Sequence, residues 1–318
     1  MDATAITRPV IVQTAFITHP ACLQHNMGPW HPESPARLQA ITDQLIASGL
    51  YDLLQHHDAP RASFEQLARV HSAAYIRGIE AAAPASGMVQ LDPDTAMLPG
   101  TYEAALRAAG AAVLATDLVI NGQAENAFCS VRPPGHHATR NQAMGFCFFN
   151  NVAVGAAHAL EHHGLERVAI ADFDVHHGNG TEDIFHDDPR VLLCSSFEHP
   201  FYPYSGADSG NAHIIPTPLP ANSGGEAFRA AVSDIWLPAL DAFKPQILFI
   251  SAGFDAHRED DMAHLKLTEA DYSWVTEQLK QVAARHAQKR IVSTLEGGYA
   301  LSALGRSVAA HIRVLGDL

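Results

Sequence analysis

Five short runs in this chain are apolar on both faces, and each gives way abruptly to polar or charged residues. They are 127–131 (Ala-Phe-Cys-Ser-Val), 167–173 (Arg-Val-Ala-Ile-Ala-Asp-Phe), 190–195 (Arg-Val-Leu-Leu-Cys-Ser), 246–251 (Gln-Ile-Leu-Phe-Ile-Ser) and 290–295 (Arg-Ile-Val-Ser-Thr-Leu). A half-exposed strand alternates apolar and polar residues, whereas these runs have no wet face. They therefore belong in a parallel sheet with helices on both faces. Between and around them lie candidate helices at 101–121, 150–163, 224–243, 268–287 and 301–315. The fourth opens on Thr268-Glu269-Ala270-Asp271, which has the form of a capping box. Strand-then-helix alternation predicts a doubly wound α/β fold with a mostly parallel central sheet. No linker, low-complexity break or repeat at a period of roughly 20 to 50 residues interrupts it, so residues 1–318 are read as one domain.

Composition narrows the function classes. A content of 47% hydrophobic and 17% charged residues suits a large buried core. The net charge of −14, with no basic run, argues against a surface for nucleic acid. Apolar runs fall short of the ~18 residues that a membrane span needs. The stretch from Val10 to Ile17 is broken by Gln13 and Thr14 and preceded by Asp2, so it does not read as a signal peptide. Cys22, Cys129, Cys147 and Cys194 are spaced too widely for a metal-binding pair or a disulfide framework. They read as buried free thiols in a reducing compartment, and the expected location is cytoplasmic. No membrane partner is expected, and a homo-oligomer is left open.

The chemistry gathers where the apolar runs end, and in an open α/β sheet such ends converge on one crevice. Asp172-Phe173-Asp174-Val175-His176 follows the second run; if the strand continues through it, residues 172, 174 and 176 share one side. Asp174, His176 and Asp255, which follows the fourth run, make two carboxylates and one imidazole. Three protein ligands with an open position are the pattern of a catalytic zinc site. Such an oxygen-rich set also accepts Fe(II), Co(II) or Mn(II). His136-His137, after the rigid Arg132-Pro133-Pro134-Gly135, offers one imidazole to take a proton from water and another to stabilise developing charge. Asp172 and Asn179 are the nearest candidates to hold their far nitrogens, and an Asp against an Asn would keep the two rings in different protonation states. Glu296-Gly297-Gly298-Tyr299 lets the backbone approach closely, so that the Tyr299 hydroxyl can donate to an oxyanion. Two other pairs, His56-His57 and His162-His163, read as plain surface residues. Loop-rich stretches at 18–36 and 196–223 are expected at the rim of the crevice.

Arg132 to Ala138, Asp172 to Gly180, Ser251 to Asp255 and Glu296 to Tyr299 together resemble the motifs of the zinc-dependent histone deacetylase family, which includes acetylpolyamine amidohydrolases. His31-Pro32-Glu33-Ser34-Pro35-Ala36-Arg37 extends the likeness towards the N-terminus. The resemblance implies the arginase–deacetylase fold and hydrolysis of an N-acetyl-amine amide. It implies Asp174, His176 and Asp255 as zinc ligands, with Fe2+ or Co2+ as substitutes, His137 as general base and acid, His136 as its electrostatic partner and Tyr299 as the donor that polarises the carbonyl. It further implies a structural potassium ion held by Asp172, the carbonyls of Asp174 and His176, and the Ser195 hydroxyl. Phe146, preceded by Gly145, and Tyr202 would line an acyl-lysine tunnel, with Asp94 at the rim. Asn179 in place of Asp resembles the class II branch.

Three alternatives remain at this level. An arginase-like pair of manganese ions would need further bridging ligands, but Gly178 and His257 stand where these would fall. An acetylpolyamine would favour an acidic gate; Glu259, Asp260 and Asp261 are nearby, but the gate position of polyamine-selective relatives falls on Met262, which favours acyl-lysine. A catalytically silent acyl-lysine-binding module would have lost a ligand or the tyrosine, and all are present.

Overall fold

The structure, a computed structural model, describes residues 13–318; Asp2 and the Val10 to Val12 part of the N-terminal apolar stretch lie outside the described residues. Among the described residues ten strands form: β1 (Ala15–Thr18), β2 (Gln55–Asp58), β3 (Val89–Asp92), β4 (Thr95–Met97), β5 (Asn126–Cys129), β6 (Val168–Asp172), β7 (Val191–Glu198), β8 (Ile214–Leu219), β9 (Ile247–Ala252) and β10 (Ile291–Leu295). Eight make one sheet in the order β2-β1-β5-β10-β9-β6-β7-β8, and β3 and β4 pair separately. Every pairing in the large sheet is parallel. β5, β6, β9 and β10 are buried at every position, as their two apolar faces require, whereas edge strand β2 alternates.

The helices are α1 (Ala36–Ala47), α2 (Phe64–Leu67), α3 (Ala73–Ala82), α4 (Thr101–Ile120), α5 (Asn151–Glu161), α6 (Asn179–Phe185), α7 (Gly225–Ala231), α8 (Leu237–Phe243), α9 (Glu269–His286) and α10 (Leu301–Leu315). α4 packs along α5 against one face of the sheet, while α1, α10 and α9 lie side by side against the other. The Ala-rich sequence of α4 permits this closeness: a Cβ on Gly155 of α5 would meet the Ala112 side chain at 3.2 Å. α9 starts as expected, with the Thr268 N–H donating to the Asp271 carboxylate at 2.9 Å.

Three expectations are corrected. Residues 196–223 are not all loop, because β7 runs on to Glu198 and β8 follows at Ile214; Pro216 and Pro218 disguise β8, and prolines are tolerated there because it is an edge strand. The helix read over 224–243 is interrupted by a π turn at Val232–Trp236, between α7 and α8. β6 ends at Asp172, so Asp174 and His176 are not grouped by strand alternation. A local device replaces it: Asp172 Oδ1 accepts the Asp174 N–H at 3.1 Å, and Asp174 Oδ1 accepts the His176 N–H at 2.9 Å. Each carboxylate thus folds the chain back two residues later, as short acidic side chains do in turns.

Candidate active site

Because all eight strands are parallel, the C-terminal ends of the four central neighbours, β5, β10, β9 and β6, open on the same edge. Asp172 closes β6, Asp255 lies three residues beyond β9, and Glu296 follows β10. There the chain brings together Asp174, His176 and Asp255. His176 Nδ1 lies 3.0 Å from Asp174 Oδ1 and 3.2 Å from Asp255 Oδ2, and one ligand atom from each residue falls within 4.8 Å of the others. All three are buried. Two carboxylates this close and this dry repel each other unless a cation lies between them. Asp255 Oδ2 is a buried oxygen without a hydrogen-bond partner, which fits a position facing an ion. The donor set suits zinc or another borderline divalent metal.

The loop after β10 passes directly over these carboxylates. Gly297 N–H donates to Asp174 Oδ2 at 2.8 Å, and a Cβ on Gly297 would fall 2.0 Å from Asp255 Oδ2. Only glycine fits this position, and Gly298, with φ of 119°, completes the turn that presents Tyr299 to the cavity. Burial pushes the Tyr299 phenol well above its usual range, so the hydroxyl keeps its proton. Its ring stands edge-on to Phe146 at 6.0 Å and under the Arg37 guanidinium at 4.9 Å.

The two histidines are held differently. His136 Nδ1 lies 2.9 Å from Asp172 Oδ2, whereas His137 Nδ1 lies 2.7 Å from Asn179 Oδ1. Burial disfavours an imidazolium at both. At His136 the charges of Asp172, Asp174 and Glu296 outweigh burial and push the ring up to about 10. His137 has only the Asn179 amide at its Nδ1, and burial with His136 and His176 nearby drives it well below the ordinary value. A divalent cation in the Asp174 and Asp255 cradle would cancel part of that field and lower both rings. The order remains, because only His136 has a carboxylate on its far nitrogen. Since Asn179 offers an oxygen to His137 Nδ1–H, the lone pair of Nε2 is free to accept a proton.

These groups line the inner end of a cavity of about 280 Å³, walled by Phe146, Phe201, Tyr202 and Met262. Phe146 has a left-handed backbone, with φ of 68°, a conformation that costs a non-glycine residue on the order of 1–3 kcal/mol. Hydrogen bonds hold it there: Thr95 Oγ1 accepts the Phe146 N–H at 2.9 Å, and Asp94 Oδ1 accepts the Gly145 N–H at 3.0 Å. A Cβ on Gly145 would stand 2.4 Å from the His137 ring. Asp94 therefore lines the cavity while one of its oxygens braces the wall. Ser195 sits beside Asp172 in register on β7, its hydroxyl 3.0 Å from His177 Nδ1.

Several residues that work here were not singled out by sequence. Asp260, counted above among acids near a gate, points inward and binds the backbone N–H groups of Tyr299 and Ala300. Glu296 is buried and accepts from Gly135 N–H at 2.7 Å and His136 N–H at 3.1 Å, fixing the base of the histidine loop. Glu33 pairs with Arg132, Arg37 and His25 in a buried cluster, and Arg37 Nε donates to the Gly298 carbonyl at 2.6 Å. A signal existed in that case: charged residues in the 31–37 segment and at 132 whose side chains, if buried, need each other.

The pair His56-His57 lies on edge strand β2. In His162-His163, His162 is exposed as expected, but His163 is half-buried and bonds to Asp117, and both rings meet His158. All four cysteines are free and buried. Among the described residues no helix is long and apolar enough to cross a membrane.

Comparison with known proteins agrees with this geometry. The family described as "Histone deacetylase domain" matches residues 31–315. A histone deacetylase-like amidohydrolase of Pseudomonas aeruginosa is 40% identical over 311 residues, covering 90% of this chain and 82% of that protein. The polyamine deacetylase HDAC10 of Homo sapiens is 38% identical over 306 residues, covering 90% of this chain but 45% of that protein. The solved HDA15 HD domain superposes with a TM-score of 0.89 at 33% identity, covering 96% of this chain and 88% of that one.

Proposed function

Because this chain belongs to the histone deacetylase family of amide-hydrolysing enzymes, we propose that it removes an acetyl or other short acyl group from the side-chain amine of acyl-lysine with the help of zinc. One observation carries the choice of substrate: two acids of the Glu259-Asp260-Asp261 run are engaged elsewhere, and the cavity wall beside them is apolar. Glu259 pairs with Arg306 at 2.9 Å, Asp260 binds backbone N–H groups, and Met262 lines the cavity where a cation-selective gate would need a carboxylate. An apolar tunnel suits a butyl-amide stem.

When held by Asp174, His176 and Asp255, zinc supplies a Lewis acid that polarises the carbonyl and makes water more nucleophilic. His137 Nε2 takes the proton from the attacking water and later returns one to the departing amine. His136, charged and tied to Asp172, stabilises negative charge as it develops. Tyr299 donates its hydroxyl to the oxyanion. Asp172, Ser195 and the carbonyls of Asp174 and His176 would hold a potassium ion that stiffens the end of β6. Four buried free thiols suit the cytoplasm, where thiols stay reduced.

A second reading, a small acetylated polyamine, is favoured by Asp94 in the cavity lining and by the likeness to a human polyamine deacetylase. The two are separated by measuring kcat/KM for an acetyl-lysine peptide, N-acetylputrescine and an acetylspermine in one assay. The peptide should lead by about tenfold or more, the discrimination that differential transition-state binding of a few contacts supplies. A lead by either polyamine would overturn the acyl-lysine reading.

A further inference from the structure

Away from the tunnel, three imidazoles converge on one carboxylate where α4 packs along α5. Asp117 stands in the last turn of α4; His158 is in the last turn of α5, His162 caps it and His163 follows. Asp117 Oδ1 lies 2.8 Å from His158 Nε2 and 2.7 Å from His163 Nε2. The His162 ring stacks on His158 at 4.6 Å and meets His163 edge-on at 4.9 Å. One ligand atom from each of the four lies within 4.8 Å of the others.

The four are not equivalent. Arg69 Nη1 lies 2.7 Å from His158 Nδ1, and since a guanidinium only donates, Nδ1 must accept. The His158 proton is therefore on Nε2 and points at Asp117. His158 thus orients an ionised Asp117 and cannot itself be a ligand while Arg69 is in place.

Location adds a second argument. Each helix returns the chain to the start of a parallel strand, α4 to β5 and α5 to β6, so both helices end at the edge of the sheet opposite the candidate active site. Helix C-termini carry negative partial charge, and Asp117 adds a full charge to it. A cation here is favoured by both helix ends and by the carboxylate.

We propose that Asp117, His162 and His163 bind a divalent transition-metal cation of the zinc, nickel and cobalt class, with His158 as a positioning residue. Two imidazoles and one carboxylate are ligands of intermediate softness, and water fills the remaining positions. The ion ties the end of α4 to the turn after α5 and leaves the tunnel untouched.

The test compares the zinc-loaded wild-type enzyme with the His162→Ala/His163→Ala variant and, as a milder change that keeps shape, with Asp117→Asn. Each is equilibrated with micromolar zinc, separated from free metal and analysed for zinc, turnover and Tm. The wild type should hold one equivalent more than either variant and gain Tm on adding zinc, as a ligand bound only to the folded state requires. Turnover should agree within about twofold, since the site is remote from the chemistry. Equal zinc content in wild type and variants, or a wild-type Tm that added zinc does not raise above theirs, would overturn the proposal.

Discussion

The Asp260 carboxylate accepts the backbone N–H of Tyr299 at 2.6 Å and that of Ala300 at 2.9 Å through the same oxygen, Oδ2. Its other oxygen accepts the Met262 N–H at 3.0 Å. One buried side chain therefore sets both the tyrosine that faces the inner cavity and the methionine in its wall. Asp260 is a positioning residue: its contacts are to backbone, while the phenol is the proposed oxyanion donor.

Asp260→Ala leaves three N–H groups, those of Tyr299, Ala300 and Met262, without their acceptor, a loss of about 1–3 kcal/mol each where they are buried. The expected result is a fall in kcat, with Tyr299 displaced. Combined with Tyr299→Phe it should add little, because both changes act through one hydroxyl. Fully additive losses in the double variant would show that Asp260 acts by another route.

Tyr299→Phe keeps the ring against Phe146 and Arg37 and removes one oxyanion donor, which typically lowers kcat by ~10²–10³. KM should change little because the tunnel walls remain. Near wild-type kcat would remove Tyr299 from the proposed mechanism.

His137→Ala should reduce turnover by ~10²–10⁴ with metal content intact, as for loss of a general base. His136→Ala should be milder. The ranking rests on Asn179 leaving His137 neutral while Asp172 keeps His136 charged. If His136→Ala proves the more damaging at neutral pH, the two roles are exchanged.

Asp174→Ala or Asp255→Ala should bind one equivalent of zinc less than the wild type and lose activity, since two remaining ligands rarely hold a catalytic ion. Metal analysis beside a turnover assay decides it. Undiminished zinc in either variant would refute the ligand set.

His311 is buried in α10 between Thr276 Oγ1, at 2.6 Å, and Ser293 Oγ, at 2.9 Å, and burial lowers it to about 3. The folded chain therefore refuses a proton that the unfolded chain takes up below its ordinary value of 6.5. Stability is full above that pH and declines as pH falls towards the folded value, by ~1.4 kcal/mol per pH unit for one proton. Urea unfolding of wild type and His311→Met between pH 7 and pH 4.5 should show a shallower decline in the variant by roughly that slope. Parallel curves would mean that His311 takes up its proton in the folded state.

Much of the architecture was legible because it rests on local chemistry. Strands apolar on both faces can exist only inside a covered parallel sheet, so β5, β6, β7, β9 and β10 announced themselves, and the polar residues at their ends marked the crevice edge. β1 and β2 were missed because four-residue strands carry too short a pattern, and β8 because its prolines read as loop. The residues that meet in the candidate metal cluster and the histidine pair beside it could be named from their motifs, since charge placed directly after a buried strand must be paired or bound to an ion.

Which group meets which was decided by tertiary structure alone. Asp260 lies 39 residues before Tyr299, and nothing in the Glu259-Asp260-Asp261 run says that the middle carboxylate turns inward while Glu259 turns to Arg306. Asp117 is 46 residues from His163, and only the packing of α4 along α5 makes a cluster of what reads as an ordinary surface pair. The physical reason is the same in each case. A sequence states which side chains need a partner, by charge and by burial, but the partner is set by which chain segments the parallel sheet and its helix layers place side by side.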